Sequence, residues 1–439
     1  MHYELRDPIH KRIPFDTFER TIIDHPFFQR LRFIKQLSFI LSYVYPGGTH
    51  DRFSHCLGAM HVAGMLFSHL KDSDEFQSRF TADELRALSR RVRIAGLLHD
   101  VGHGPFSHSS ENVFPKLKEL PLKWEWWKQS EKIVLDRQAT HEDYSVLLIQ
   151  TLAEEKVLGW DFAQDVASLI HAEIRPSAFF DELKRKAPTI QRILKGLVSG
   201  EVDCDRMDYL LRDSYYCGVA YGNFDLEWLI SSLSVAEKNG QLIFTLSENG
   251  VRAFEDLLLA RYHMLDQVYF HKTKNGFAHY LEQAFRSGEI DVRIPTDPYE
   301  YADLRDGRMI EKLFEAARNP KNYWSHHLIH RVAPKRIMRF HEAKAEDKKE
   351  LKGLEELCRS KQIPYFKQSV GSELTHFGET GAHGAEMIHV VRKKIGRTEY
   401  VPIFEYSDLL KKYNEKLRFT DFFVPREQYE KFLDAIANP

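Results

Sequence analysis

The sequence predicts a mainly α-helical body over residues 1–300 and a smaller C-terminal α+β lobe over residues 301–439. Three observations carry that expectation. Apolar residues recur at spacings of three and four from about residue 16 to 290, Gly and Pro break that stretch into separate helices, and β-prone runs begin beyond about residue 300. "TFERTIIDHPFFQRLRFIKQL" and "DLEWLISSLSVAEK" each combine an apolar stripe with a polar face, the pattern of a helix packed on one side. The breaks fall at "YPGGTH", "GHGPFSH" and "YCGVAYGNF". Between helices, "KNGQLIFTLSENG" alternates enough to predict a small hairpin, a minor element beside the helices. In the C-terminal lobe, "FHEAKAEDKKELKGLEELCRSK" reads as a solvated helix. "AEMIHVVRKK", "EYVPIFEY" and "RFTDFFVP" read as strands, and "REQYEKFLDAI" as a closing helix.

Composition excludes several function classes. The chain has 62 Lys and Arg against 64 Asp and Glu, so no global field draws it to nucleic acid or an anionic membrane. No zinc-finger, RNP or helix-turn-helix signature stands in for that field. The four cysteines, Cys56, Cys204, Cys217 and Cys358, form no C-x-x-C pair, which suits thiols in a reducing compartment. "MHYELRDPIH" lacks the basic and apolar regions of a leader, and no apolar run approaches the roughly 18 residues of a membrane span. A cytoplasmic protein without a membrane anchor is expected.

The chemistry is concentrated in "RVRIAGLLHDVGHGPFSHSSENVF", residues 91–114. His99, Asp100, His103 and His108 follow a buried apolar run there, and such groups are costly to bury without partners. A His-Asp dipeptide alone says little, since His50-Asp51 is a second one. Upstream, "HDRFSHCLGAMHVAG" offers His55 with Arg52 on the same helical face. Downstream, "EVDCDRMDYLLRDSYYCG" offers Asp203, Asp205 and Asp208, with Asp205, Tyr209, Arg212 and Asp213 on one helical stripe. Imidazoles with carboxylates suit a divalent ion such as iron, manganese, nickel, zinc or magnesium. Structural readings compete at each position. The buried groups could form a polar network that only rigidifies helix packing. His103 and His108 could cap the turn, His141 could merely open a helix, and Arg32, Lys35 and Gln36 could be a solvated face. "WEWW" reads as packing or an interface patch, and His171 as a satisfied core histidine.

"DPIH", "FQRLRFIKQL", "YPGGTHDRFSHCLGAMHVAG", "LLHDVGHGPFSH", "THEDYS", "DCDRMDYLLRDSYYCG" and "YFHK" occur in the order found in a known family. Over roughly residues 5–285 the chain resembles the HD-domain metallohydrolases, and within them the deoxynucleoside triphosphate triphosphohydrolases similar to the animal SAM-and-HD-domain enzyme, without its SAM domain. The resemblance implies a helical HD-domain core with His55, His99, Asp100 and Asp205 on one tightly bound divalent transition metal (iron, manganese, nickel or zinc), and Mg²⁺ arriving with the nucleotide. It implies that His103 and His108 face the α-phosphate, with His108 as general acid and Glu111 and His141 in support. Arg52, Arg206 and Arg261 would hold the triphosphate. Gln36 and Leu37 would lie under the deoxyribose, Tyr209 would stack on it, Asp213 would accept from its 3′-hydroxyl, and Tyr269 would reach the base. The implied reaction is water attack on the α-phosphate of a dNTP, giving deoxynucleoside and tripolyphosphate. A homo-oligomer, dimer or tetramer, is implied too. Asp24, Gln29 and Arg32 match part of a regulatory nucleotide site. Departures accompany the match: Tyr3 stands where a lysine is expected, Trp228, Ser247 and Asn249 replace basic residues of a second regulatory site, and Phe270 replaces a glutamine near the base. Two alternatives use a similar metal centre or none: a phosphodiesterase or nucleotidase acting on nucleoside monophosphates or nucleic-acid ends, and a non-catalytic nucleotide sensor.

Overall fold

A computed structural model describes residues 2–129, 133–372, 388–412 and 417–438, with the side chains of 108, 109, 112, 372, 412 and 417 outside the description. At its centre the 20-residue helix Arg52–Lys71 packs against the helix Ala82–Leu98. The first is apolar nearly all round because it is covered on several sides. Its start is fixed by Asp51, whose carboxylate accepts from the Ser54 amide, so the second His-Asp pair contributes a helix cap. Thr81 and Glu84 form a capping box on the second helix. The helix Cys204–Cys217 crosses the Arg52 helix and ends on Gly218 in the left-handed region, at φ 68°. That crossing needs Gly58, since a Cβ there would lie 1.8 Å from Asp208 Oδ1.

The loop leaving Leu98 is clamped from three sides. A Cβ on Gly102 would sit 2.1 Å from the Ser145 amide and 2.2 Å from the His141 carbonyl, so only glycine lets the loop lie this close to the helix His141–Glu154. The buried guanidinium of Arg30 donates to the Val101 carbonyl at 3.1 Å and to the His103 carbonyl at 2.5 Å. Asp306 accepts from the amides of Phe106 and Lys35, which holds Phe106 and Ser107 at φ 60° and 54°.

The strands are β1 (His2–Asp7), β2 (Lys11–Asp16), β3 (Leu233–Lys238), β4 (Gln241–Ser247), β5 (Lys335–His341), β6 (Phe366–Ser372), β7 (His389–Lys394), β8 (Arg397–Pro402) and β9 (Leu417–Val424). β1 and β2 form an N-terminal hairpin that the sequence reading does not anticipate. β4 falls in the segment expected to form a hairpin, but its partner β3 is "LSVAEK", the second half of a stretch expected to be helical. The two strands are closed by Asn239 and Gly240 at φ 54° and 75°, the pair of positive angles a tight two-residue turn requires. This hairpin is more than a minor element. β7 pairs with β4 in parallel, and the sheet runs β3-β4-β7-β8. Strands expected in the C-terminal lobe thus join a sheet begun more than 140 residues earlier, a parallel pairing that leaves no local signal. The small lobe keeps the sheet β5-β9-β6, the helices Ala345–Ser360 and Tyr429–Ala437, and a core of its own around Phe340, Cys358, Phe422 and Phe432. Tyr301, Leu313 and Leu328 instead bury in the large core. No helix of the described residues is long and apolar enough to cross a membrane. Trp126 and Trp127 are buried packing residues, and His171 pairs with Asp143 at 3.2 Å inside the body.

Candidate active site

Three helix ends deliver the donors. His55 lies one turn into the Arg52 helix, His99 and Asp100 follow the last residue of the Ala82–Leu98 helix, and Asp205 opens the Cys204 helix. His55 Nδ1 meets Asp208 Oδ2 at 2.7 Å and His99 Nδ1 meets the Gly96 carbonyl at 2.8 Å. Both partners only accept, so each ring donates from Nδ1 and turns Nε2 inward. The two Nε2 atoms face each other at 3.3 Å. Asp205 Oδ1 lies 3.0 and 3.4 Å from them, and the Asp100 oxygens lie 3.6 Å from His55 Nε2 and 3.5 Å from His99 Nε2. Donors bonded at about 2.0–2.2 Å to one tetrahedral cation stand about 3.3–3.6 Å apart. His55, His99 and Asp100 present ligand atoms within 4.8 Å of one another, an arrangement that could hold a divalent ion, and Asp205 stands against both nitrogens. The electrostatics agree. Burial opposes a proton on His55, yet hydrogen bonds to Asp205 and Asp208 outweigh it and raise the pKa to about 10. Burial would raise Asp205, but bonds to His55 and His99 hold it well below the usual carboxylate range.

Of the three aspartates the sequence leaves open, each has a separate place. Asp203 caps the helix, accepting from the Arg206 amide at 2.7 Å, and burial raises its pKa to about 6. Asp205 faces the imidazoles. Asp208 lies behind His55, where its carboxylate also holds His10 at 2.6 Å and Arg212 at 2.8 and 2.9 Å, and Arg212 reaches on to Asp7. Of His10, Asp7 and Arg212, the sequence marks only Arg212, on the stripe with Asp205. "DPIH" is the only sequence trace of the first two.

Beside the donors lies a cavity of about 490 Å³. Arg52 lines it, paired with Asp100 and donating to Ser107 Oγ at 3.0 Å. His103 stacks on His141 with ring centroids 3.8 Å apart, and Glu111 accepts from His141 Nδ1 at 2.6 Å. Burial, with Arg52 and His141 adding to it, pushes the His103 pKa well down, so this ring is neutral. The side chain of His108 lies outside the described residues. Gln36 and Leu37 line the wall, and the Gln36 side-chain oxygen is buried with no hydrogen-bond partner among the described residues. A ladder of rings runs away from the donors: His55 to Tyr209 at 6.5 Å, then Tyr209 to Tyr269 at 6.2 Å. Asp213 accepts from the Tyr269 hydroxyl at 2.6 Å and pairs with His50 at 2.8 Å. Phe270 and Lys274 complete the wall. Arg206 and Arg261 are not among the lining residues. Arg206 pairs with Glu201 at 3.3 Å, and both arginines act on the Tyr209 hydroxyl, whose burial nevertheless raises its pKa to about 12.

The residues matched to regulatory sites lie elsewhere. Gln29 accepts from Arg32, Arg32 stacks over Phe53, and Asp24 pairs with Arg20 on the exposed face of the preceding helix. Tyr3 stacks on Phe15 under the Arg20 guanidinium. Trp228 donates to the Asn249 carbonyl at 3.4 Å, beside Ser247 at the end of β4.

Three helix termini that bring imidazoles and carboxylates together form a helical domain with a candidate metal site. Comparison with known proteins identifies the domain. The HD domain matches residues 52–195 and the HD associated region matches residues 224–357, so the chain carries an HD domain followed by an HD associated region. An uncharacterized protein of Methanocaldococcus jannaschii is 33% identical over 276 residues, 61% of this chain and 46% of that one. The deoxynucleoside triphosphate triphosphohydrolase SAMHD1 of Homo sapiens is 31% identical over 304 residues, 66% of this chain and 45% of its own. The chain spans about half the length of the curated relatives it matches. A solved structure of a hypothetical protein from Aquifex aeolicus superposes with a TM-score of 0.73 at 25% identity, covering 99% of this chain and all of that one.

Proposed function

We propose that this protein is a metal-dependent phosphohydrolase that cleaves dNTPs to deoxynucleoside and tripolyphosphate. The observation that carries the reading is the four-donor shell of His55, His99, Asp100 and Asp205 beside a cavity that presents Arg52 next to Asp100. A divalent ion held there would polarise the α-phosphate and acidify water toward neutrality. Arg52 offers a planar fork of donors to phosphate oxygens. Neutral His103 can donate or accept at the α-phosphate without adding charge, and Glu111 fixes the ring of His141 beside it. In the reaction a water oxygen bonds to the α-phosphorus, the bond to the 5′ oxygen breaks, and that oxygen takes a proton, a role given to His108 by family resemblance. Family resemblance gives the outer phosphates to Arg206 and Arg261 together with Mg²⁺, and both guanidiniums act on the Tyr209 hydroxyl at the cavity wall. The carboxylate of Asp213 suits the sugar's 3′-hydroxyl, and Gln36 stands with Leu37 on the wall for the deoxyribose. Leu37 leaves a 2′-hydroxyl without a partner, a discrimination of about 100-fold in comparable apolar pockets. The SAMHD1 relatives, by name deoxynucleoside triphosphate triphosphohydrolases, support this substrate class, and family resemblance adds a homo-oligomer and a nucleotide effector at Asp24, Gln29 and Arg32. A cytoplasmic location would give access to the nucleotide pool.

The test is a metal-replete assay with each dNTP, singly and in mixtures. Tripolyphosphate in equal amount to deoxynucleoside is the expected product, and acceleration in mixtures would expose an effector. Orthophosphate released from monophosphates, with dNTPs left intact, would replace this reading with a nucleotidase.

A further inference from the structure

Lys274 is placed where local physics disfavours it. It stands in the first turn of the helix Lys272–Arg286, which has no acidic residue in that turn, so the positive end of the helix dipole faces a second positive charge. It lines the cavity, and among the described residues no carboxylate or carbonyl partners its ammonium. Burial lowers its pKa. A cation set in such a place without a partner belongs to a site whose partner is the ligand.

The ring ladder says which part of the ligand. From His55 the wall passes Tyr209 and Tyr269, and Phe270 and Lys274 line the same cavity. A nucleotide whose α-phosphate meets the donor shell and whose sugar meets Tyr209 and Asp213 extends its base along Phe270. An aromatic face suits any base. An ammonium does not, because it only donates.

Building on the dNTP reading, we infer that Lys274 reads the base by donating to a ring carbonyl, O6 of guanine or O4 of thymine. Adenine and cytosine present an amino group at the corresponding position. Two donors would then face each other in a desolvated site, and both would lose their partners. The cavity therefore takes keto bases ahead of amino bases of the same size. A good contact of this kind is worth roughly a 5- to 100-fold preference.

The experiment measures kcat/KM for dGTP, dITP, dATP, dTTP and dCTP with the full chain and with Lys274→Met, which keeps most of the apolar stem and removes the charge. The expected result is dGTP over dATP and dTTP over dCTP by roughly 5- to 100-fold. dITP, which has O6 but no 2-amino group, should follow dGTP, and both ratios should collapse toward one in K274M. The dITP comparison needs only the unmodified protein, so it can overturn the inference even where the variant does not fold. Turnover of dITP at the rate of dATP, or ratios unchanged in K274M, would overturn the assignment of Lys274 alone. No tripolyphosphate from any dNTP would overturn the triphosphohydrolase reading and this inference with it.

Discussion

Asp205→Ala should yield a folded chain that retains no tightly bound divalent ion and releases no tripolyphosphate. The reason lies in how charge is distributed around the shell. Of its two carboxylates, Asp100 is shared with Arg52, whose guanidinium contacts it directly and holds its pKa far down against the effect of burial. Asp205 is the carboxylate whose charge is not already matched by an arginine bond, and it touches both inward nitrogens. Without it a dication meets two neutral imidazoles and an aspartate already neutralised by its neighbour. The fold loses little, because the Asp205 side chain is 35% exposed and the helix start is capped by Asp203. Asp203→Ala makes the contrast. Loss of that cap should cost about 0.5–2 kcal/mol in denaturant unfolding while the metal is kept. Metal content by elemental analysis, product release and far-UV circular dichroism separate the two variants. An Asp205→Ala protein with a full complement of metal and ordinary turnover would remove the proposed ligand set.

The site was legible in the sequence to the extent that helices write themselves locally. "IAGLL" followed by His99-Asp100 marks a buried helix end, and the stripe from Asp205 to Asp213 follows from helical period alone. The mainly helical class is legible for the same reason. What is missed is tertiary. Nothing near His50 says that it pairs with Asp213, and nothing near Lys274 says that it reaches a cavity whose other walls lie up to 238 residues away, at Gln36. The order of Asp203, Asp205 and Asp208 around the centre also depends on where the Arg52 helix crosses, a contact set by Gly58. The join of β4 to β7 is of the same kind, since parallel register between distant segments is fixed by packing on the helices beneath.

Asp208→Asn should destabilise the whole fold, beyond any effect on chemistry. Asp208 is fully buried and is the meeting point of His10, His55 and Arg212. Burial alone would raise its pKa, but Arg212 above all, with His10 and His55, holds it well below the usual carboxylate range. Asparagine has nearly the same shape, so no large cavity forms and the effect reports charge and hydrogen bonding. Its amide presents a donor to groups that are themselves donors, and Arg212, with no exposed side-chain surface, keeps only Asp7 as a charge partner. Breaking one side of a buried pair costs roughly 3–5 kcal/mol. The denaturant midpoint should fall accordingly, with the slope of the transition unchanged. His55 loses the acceptor that orients its ring, for which a drop of about 10- to 100-fold in metal affinity is expected. The two losses are measured independently, by unfolding of the metal-free protein and by metal titration of the folded one. A variant that unfolds at the same denaturant concentration as the parent would mean that the Asp7–Arg212–Asp208–His10 chain contributes no net stability, and that Arg212 is satisfied some other way.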